Sequence, residues 1–440
     1  MDAALLDKLR AIAGPPHVLT GIDLGPYVVE GRTPAAAVFP GSVDEVRAVV
    51  ELAAGAGIAI MPWGGGTAAA VGTPPARAGL VLGLGRLNRI LEHEPGDLTA
   101  TVEAGLTVRA LQAALQARGQ WLSLDPPEPA RATVGGVVAA NAAGPRRHLY
   151  GTARDLVIGI QVVTADGALV RGGGKVVKNV AGYDLPKLFV GSYGTLGVIV
   201  AVTLKLRPLP DEQRLVAVSF ERLKDAAAAA RALLGSDLIP TAVDLADADG
   251  VTAMGLDLPA AAALFVGFDG LAEQVAWQCE ELARLTAGFA GHAVRVLPEA
   301  AWERLALGAR AAGSTPAAVM RLVVLPTAVA DTMEQGAGAA RQRGLSSAWT
   351  AHAGVGVVTA ALVSPPDPDG VGAVVAVLEE WRRLARSGGG FATLEWAPLP
   401  VKNAVPVWDD PGGAGRIMQR IKAQFDPRNL LNPGRFVAGV

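Results

Sequence analysis

The sequence predicts an α+β chain of two domains, and three observations predict it. Strand-like and helix-like segments alternate through residues 30–210 around two runs of small residues. A Pro-rich step, Arg207-Pro208-Leu209-Pro210, then interrupts the pattern. Beyond it, two loose β-α-β cycles suggest an antiparallel sheet covered on one face by helices.

In chain order, Ser42 to Ala54 has the marks of a capped amphipathic helix. Ser42 is a good N-cap, Glu45 completes a capping box, and Val46, Val49, Val50 and Ala53 share one face. Gly57-Ile58-Ala59-Ile60 follows as a short buried strand and runs into the turn Met61-Pro62-Trp63-Gly64-Gly65-Gly66-Thr67. Thr99–Glu103 alternates as a strand, and a helix is expected from Val108 to Arg118. Ile158–Thr164 and Ala168–Arg171 flank Ala165-Asp166-Gly167, a hairpin turn. Gly197–Leu206 is a long β-rich run.

In the second domain, strands are expected at Leu215–Phe220, Ala242–Leu245, Ala263–Phe268, Arg321–Leu325 and Gly354–Leu362. Helices are expected at Arg222–Leu234, Leu271–Leu285, Ala328–Arg343 and Val371–Leu384. The tail from Phe425 to Phe436 is turn-rich but keeps aromatic and apolar anchors.

Composition narrows the class. With 440 residues, 51% hydrophobic and 18% charged, the chain can bury a large core. A formal net charge of −2 gives no footprint for nucleic acid. The single cysteine, Cys279, excludes an intramolecular disulfide and thiolate clusters, and it fits an inert helical thiol. Mean hydropathy is +0.34, from alanine and valine scattered along the chain; a greasy partner-facing surface would give the same average. Met1–Lys8 has no basic-then-apolar pattern, and no run approaches the roughly 18 apolar residues of a membrane span. A cytoplasmic protein is expected.

Two small-residue stretches carry the chemistry. The first is Gly64-Gly65-Gly66-Thr67. The second is Asp125-Pro126-Pro127 followed by Thr133-Val134-Gly135-Gly136-Val137-Val138-Ala139-Ala140-Asn141-Ala142-Ala143-Gly144. Backbone without bulky Cβ groups can approach a ligand and aim N–H groups at anionic oxygens. Together they suggest a pyrophosphate gripped from two sides. The competing readings are an ordinary loop for the first and a close-packed small-residue helix for the second.

Other motifs fail on inspection. Gly172-Gly173-Gly174-Lys175 lacks the spacing of a P-loop, and no dinucleotide fingerprint or nucleophile elbow is present. His17, His93, His148, His292 and His352 are well separated, so a zinc site has no support, and no metal is expected.

Pro62–Thr67, Asp125-Pro126, Thr133–Gly144, Gly191-Ser192-Tyr193-Gly194-Thr195-Leu196-Gly197-Val198-Ile199 and the closing Leu431-Asn432-Pro433-Gly434-Arg435 together resemble the PCMH-type (vanillyl-alcohol oxidase-like) FAD-binding family. The order and spacing match over roughly residues 30–210 and again at the end. The resemblance implies an FAD-binding domain over 1–210, a cap domain of antiparallel sheet and helices over 211–420, and a C-terminal return over 421–440. It also implies noncovalent FAD, because Thr67-Ala68-Ala69-Ala70 stands where covalent members carry a histidine. Pro62, Gly64, Gly65, Gly66 and Thr67 would meet the cofactor, with a second grip from Asp125, Pro126, Thr133, Gly135, Gly136, Asn141, Gly144 and Gly151. Ile199 would lie at the adenine end and Asn432 near the isoalloxazine.

Pro145-Arg146-Arg147-His148-Leu149-Tyr150-Gly151 and Val177-Lys178-Asn179-Val180-Ala181-Gly182-Tyr183-Asp184 are most similar to E subunits of bacterial glycolate oxidase complexes. That similarity implies a catalytic D-type flavoprotein partner, an iron–sulfur F-type partner, a small 2-hydroxy acid, and at most peripheral contact with the inner membrane face. Lys178, Tyr183 and Asp184 are either flavin-supporting residues or parts of a structural turn.

The departures bear on chemistry. Tyr193 replaces the glutamate usual in related 2-hydroxy-acid dehydrogenases. Those enzymes use clustered histidines and a Glu-His pair, often around a divalent metal. Here Ala351-His352-Ala353-Gly354-Val355-Gly356 and Phe391-Ala392-Thr393-Leu394-Glu395-Trp396 stand in their place. Oxidation of a hydroxy acid needs a base and a cation for the carboxylate. His352, Arg146 and Arg147 are the candidates; each also has a structural reading, as a buried histidine and two surface arginines. Three functions compete: a flavoprotein subunit whose partner does the chemistry, a self-sufficient FAD-dependent oxidoreductase on a substrate such as D-lactate, and a structural subunit with inert flavin.

Overall fold

Ser42 starts the first long helix of a layer that leads into the glycine turn. In this computed structural model, residues 2–77, 79–174, 183–312, 316–363 and 370–440 are described. They form two units. One holds Met1–Ala142, Thr152–Leu209 and Asp410–Val440, the other Ala143–Gly151 and Pro210–Asp409. The change of unit falls at the Pro-rich step. The sequence assigns Ala143–Gly151 to the first domain, yet these residues pack with the second.

In the first unit, strands β1 (Val18–Leu19), β2 (Ala36–Val38), β3 (Ile60–Trp63) and β4 (Leu80–Gly83) form a sheet in the order β1-β2-β4-β3. β2, β4 and β3 run parallel, and β1 is antiparallel to β2. Helix α1 (Val43–Ala56) precedes β3 and buries Val46, Val49, Val50 and Ala53. Ser42 accepts from the Glu45 N–H at 3.2 Å, while the Glu45 carboxylate reaches back to the Gly41 N–H at 2.7 Å. The expected box therefore closes one residue earlier than the cap. Gly57 ends α1 in the left-handed region, so the strand begins at Ile60 rather than Gly57.

A second sheet is wholly antiparallel. It uses β5 (Ile90–Glu94), β6 (Thr99–Glu103), β7 (Val157–Val163), β8 (Leu169–Gly173) and β9 (Val198–Lys205), in the order β5-β6-β9-β7-β8. Asp166 builds the β7–β8 hairpin turn by accepting from the Thr164 hydroxyl and the Ala168 N–H. Helix α2 (Val108–Gln116) follows β6 and is N-capped by Thr107. The second small-residue run forms the short helix α3 (Val134–Ala140), with Thr133 as its side-chain N-cap and Asn141 in the left-handed C-cap position.

The second unit contains α4 (Arg147–Tyr150) and an antiparallel sheet of eight strands. These are β10 (Glu212–Phe220), β11 (Ala242–Asp247), β12 (Ala262–Gly270), β13 (His292–Leu297), β14 (Ala318–Val323), β15 (Ser347–His352), β16 (Val357–Leu362) and β17 (Phe391–Trp396). Their order is β13-β10-β12-β11-β15-β16-β14-β17.

The helices α5 (Leu223–Leu234), α7 (Ala272–Ala287), α9 (Val329–Arg341) and α10 (Val371–Ser387) supply the main core, where Trp349 and Trp381 meet edge to face at 4.8 Å. Strand pleating sends Val243 and Leu245 into that core and turns Asp244 to the opposite face. Against this second face lie α6 (Ala248–Ala253) and α8 (Ala301–Leu307), burying Val251, Met254, Trp302 and Leu305. The sheet is therefore covered by helices on both faces, not one. No helix among the described residues is long and apolar enough to cross a membrane.

Asp247 caps α6, accepting from the Gly250 N–H at 2.7 Å and the Trp349 N–H at 3.0 Å. Burial outweighs those bonds and raises its carboxyl to about 7. The same group titrates near about 4 in an unfolded chain, so folding takes up a proton between these values. Its favourable contribution is complete below about pH 4 and lost as pH rises through about 7. Asp247→Asn keeps the cap acceptor and removes this slope. The urea midpoint of the wild type relative to the variant should therefore be higher at pH 5 than at pH 8.

Candidate cofactor site

A cleft in the first unit gathers most of the glycine-turn residues. Pro62, Gly64, Gly65, Gly66 and Thr67 form one wall, Gly135 and Gly136 another, and Ile199 and Asn432 close it with Tyr193 and Arg435. The two small-residue stretches, seventy positions apart in sequence, thus face one space. The lining residues include neither His nor Cys.

Most of the glycines serve protein packing. A Cβ on Gly65 would overlap the Arg131 carbonyl, one on Gly64 would overlap the Thr133 hydroxyl, and one on Gly135 would overlap Ala104. Gly66 takes φ +74° and sits against the Trp63 ring. The turn is glycine-rich so that it can dock onto the segment that begins α3. Gly136 differs: a Cβ there would meet only the Thr133 hydroxyl, at 3.1 Å. Its missing side chain leaves space in the cleft.

Other expected residues do not line this cleft. Thr133 caps α3 and Asn141 accepts from the Arg154 N–H, neither lining the cleft. Asp125 and Pro126 are likewise outside the lining, and Gly144 and Gly151 belong to the second unit. Val177–Gly182, including Lys178, falls outside the described residues. Tyr183 is exposed, and Asp184 pairs with Lys187.

The C-terminal return builds the remaining wall. Ile60 donates its N–H to Leu430 O at 2.7 Å, and Asn432 donates its N–H to Ile60 O at 2.9 Å, adding the tail beside β3. The Asn432 amide donates to Tyr193 O at 2.7 Å, while its Oδ1 is buried without a protein partner. Tyr193 adopts φ +51° and stacks on Phe436 at 5.4 Å.

Arg435 donates to the carbonyls of Ala69, Val71 and Thr73, fixing the loop after the glycine turn. Burial pushes its guanidinium down to about 10. On α11 (Ala414–Phe425), buried Lys422 donates to Thr195 O, Leu431 O and the Asp426 carboxylate at 2.7–2.8 Å. Sequence reasoning missed Lys422 and its i,i+4 partner Asp426; that charge spacing at the edge of an apolar tail was the available signal.

The second unit gathers polar groups on the α6/α8 face of its sheet. Glu395 accepts from the Arg310 Nε at 2.6 Å and forms an ion pair with Arg321, whose Nε lies 3.5 Å away. Burial raises its carboxyl, but Arg310, Arg321 and then Arg147 outweigh that and hold it below its ordinary range. His352 Nδ1 lies 2.8 Å from Asp244 Oδ2, so His352 has a carboxylate partner that the sequence did not reveal. Burial lowers His148, against the pull of Asp244. Arg146 stacks on Trp302 at 3.8 Å and donates to Gln213 at 2.7 Å. It is neither a solvated surface arginine nor part of the Glu395 group. Among the described residues no three His, Cys, Asp or Glu side chains form a metal site. Glu395 is instead engaged by guanidinium groups, so the donor set does not fit the divalent metal of related dehydrogenases.

Comparison with known proteins settles the family. A model of the FAD binding domain matches residues 34–173, and one of the C-terminal domain of FAD linked oxidases matches residues 209–436. The chain belongs to the FAD-linked oxidases. It is 30% identical over 421 residues to glycolate oxidase subunit GlcD of Bacillus subtilis, covering 92% of this chain and 89% of that one. Similarity to a probable mitochondrial D-lactate dehydrogenase of Danio rerio is 28% over 431 residues, covering 92% and 84%. Glycolate oxidase subunit GlcE of Escherichia coli is 45% identical over 122 residues, 28% of this chain and 35% of that protein.

The fold is shared with p-cresol methylhydroxylase (TM-score 0.75, 20% identity, 99% of this chain and 96% of that one) and alkyldihydroxyacetonephosphate synthase (TM-score 0.75, 18% identity, 99% and 86%). This FAD-linked oxidase is an α+β PCMH-type flavoprotein and an FAD-dependent oxidoreductase. The cleft of the first unit fits the cofactor: its walls are glycine-lined, and the buried Asn432 Oδ1 awaits a donor.

Two substitutions separate cleft from scaffold. Gly136→Val should leave the far-ultraviolet circular dichroism unchanged while the purified protein loses its flavin absorbance, whereas Gly65→Val should disturb the fold as well. Lys422→Met strands the Asp426 carboxylate and should cost about 3–5 kcal/mol of stability in urea unfolding.

Proposed function

We propose that this FAD-linked oxidase is the FAD-binding, E-type subunit of a complex that oxidises glycolate to glyoxylate. Its partners in this reading are a D-type flavoprotein and an iron–sulfur subunit, in the cytoplasm. The observation that carries the 2-hydroxy acid is the likeness, over 92% of this chain, to proteins named as a glycolate oxidase subunit and as a probable D-lactate dehydrogenase. GlcD and GlcE, both named as glycolate oxidase subunits, support the assignment to such a complex.

In this reading Gly64–Thr67, Gly135, Gly136 and Ile199 hold noncovalent FAD through backbone N–H groups and the Thr67 hydroxyl, and Asn432 Oδ1 accepts from the flavin. Bound FAD supplies the acceptor for a hydride and its electron pair. Thr133 and Asn141 keep α3 in place behind the cleft, and Arg435 and Lys422 hold the loops that line it.

A second reading has a specific observation in its favour. The Asp244–His352 pair gives the chain a base of its own, as a self-sufficient 2-hydroxy-acid oxidoreductase requires. The visible spectrum of the purified chain under anaerobic glycolate or D-lactate tests both. The E-type subunit stays yellow until the partner subunits are added, and a self-sufficient enzyme bleaches alone. Flavin that never changes redox state in the assembled complex overturns both.

A further inference from the structure

The first unit has a second hollow, at the end of its parallel sheet away from the glycine turn. Residues at or just before the first positions of β2, β3 and β4 line it, among them Pro34, Ile60 and Leu80. The glycine turn follows β3 at its other end. Met61 and Asn432 line both the hollow and the cofactor cleft. They belong to β3 and to the C-terminal return, which the backbone bonds of Ile60 to Leu430 and Asn432 join. The same two segments therefore border both spaces.

Two cations, Arg32 and Arg77, line the hollow, and no Asp or Glu does. Both are exposed. Arg77 donates to the Asn429 carbonyl, and Arg32 has no ion-pair partner among the described residues. Burial lowers the Lys422 ammonium against the pull of Asp426, and Arg77 lowers it further, so the Arg77 charge reaches the interior of the unit. The backbone that carries each arginine is fixed. Val29 and Arg32 exchange N–H···O bonds of 3.1 and 2.9 Å across Glu30 (φ +51°) and Gly31 (φ +71°), a tight turn with both central residues left-handed. The loop before Arg77 is tied to the C-terminal return, Thr73 donating to Arg435 O at 3.0 Å and Ala76 to Pro433 O at 3.1 Å. The rest of the lining is mainly apolar.

We propose that this hollow is a second anion site, for a small organic oxyanion whose charged head meets Arg32 and Arg77 and whose apolar body rests on Ile60 and Pro75. Guanidinium groups bond phosphate and carboxylate oxygens in a forked geometry and stay charged at any working pH. Two cations lining one hollow without an acid repel each other, and a bound anion offsets that repulsion. Turn and loop hold both arginines at fixed points of the backbone, so little ordering is left for the ligand to impose. The site is separate from the glycine-lined cleft that fits FAD, and it does not depend on which substrate the oxidoreductase takes.

Isothermal titration calorimetry on the full-length, FAD-saturated protein in low-salt buffer tests this, with phenyl phosphate and inorganic phosphate as probes. One equivalent of phenyl phosphate should bind, and more tightly than inorganic phosphate, because only the ester has a body for the apolar lining. Arg32→Gln and Arg77→Gln should each weaken it about 10-fold, as loss of a charged hydrogen bond does, with circular dichroism and flavin absorbance unchanged. Arg77 also supports the Asn429 carbonyl, so Arg32→Gln decides the matter if Arg77→Gln disturbs its loop. Arg428→Gln removes a cation that lies against Gly57 outside the hollow and should leave the affinity as it is. Absence of binding to the FAD-saturated protein overturns the proposal. Binding only to FAD-free protein does so too, since it places the probe in the cofactor cleft. An affinity unchanged in Arg32→Gln, or lowered equally by all three substitutions, also overturns it, the latter as diffuse attraction to surface charge.

Discussion

The architecture of the cofactor cleft depends on one buried ion pair. Lys422 spends all three N–H donors inside the first unit, on Thr195 O, Leu431 O and Asp426 Oδ2. Asp426 in turn accepts from the N–H groups of Leu430 and Leu431. Desolvating both charges costs several kcal/mol per ion, and burial does lower the Lys422 ammonium despite its partner. An apolar pair would fill the space more cheaply. What it could not do is hold two chain segments, the loop through Thr195 and the return through Leu431, by directional bonds to their carbonyls. Those segments carry Tyr193 and Asn432, whose own bond at 2.7 Å closes the cleft wall. The pair thus favours geometry over stability.

Glycine at the first turn follows a similar logic. On the sequence alone, Gly64–Gly66 are explained by close approach to a ligand. The structure gives the nearer cause: Gly64 and Gly65 let the turn press against Thr133 and the Arg131 carbonyl. Both explanations lead to the same site, because docking the turn on the start of α3 is what brings the two backbone walls together. The sequence pattern was therefore a sound guide to location and a poorer one to mechanism. It could not separate a glycine that packs on protein from one, such as Gly136, that leaves room in the cleft.

Legibility varied with how local the cause was. The Ser42 cap, the burial stripe of α1 and the Asp166 turn are set by neighbours no more than four positions apart along the chain, each to the next, and all could be read directly. β13, β15, β17 and α11 were missed. The exposed edge strand β13 shows little alternation, its burial being nearly uniform along its length. In β15, Ser347 and Thr350 sit buried between neighbouring strands, and their polarity hides the strand period. The second face of the large sheet was invisible for the same reason. Its polar residues look like surface when only one helix layer is expected.

His352 shows the same limit on what local sequence reveals. Alone in sequence, it is no more than a single histidine after a strand. Its partner stands 108 positions earlier and is contributed by register, since Asp244 faces His352 across paired strands. Glu395 was legible only as the remnant of a Glu-His pair, yet in the structure Arg310 and Arg321 are its nearest partners. Where related enzymes cluster histidines, this chain places guanidiniums around the carboxylate and pairs its histidine with an aspartate. Guanidiniums stay cationic at any working pH, so the buried Glu395 carboxylate keeps its counter-charge without a titrating partner. The histidine–aspartate contact is a separate arrangement, made by strand register rather than by neighbours in sequence.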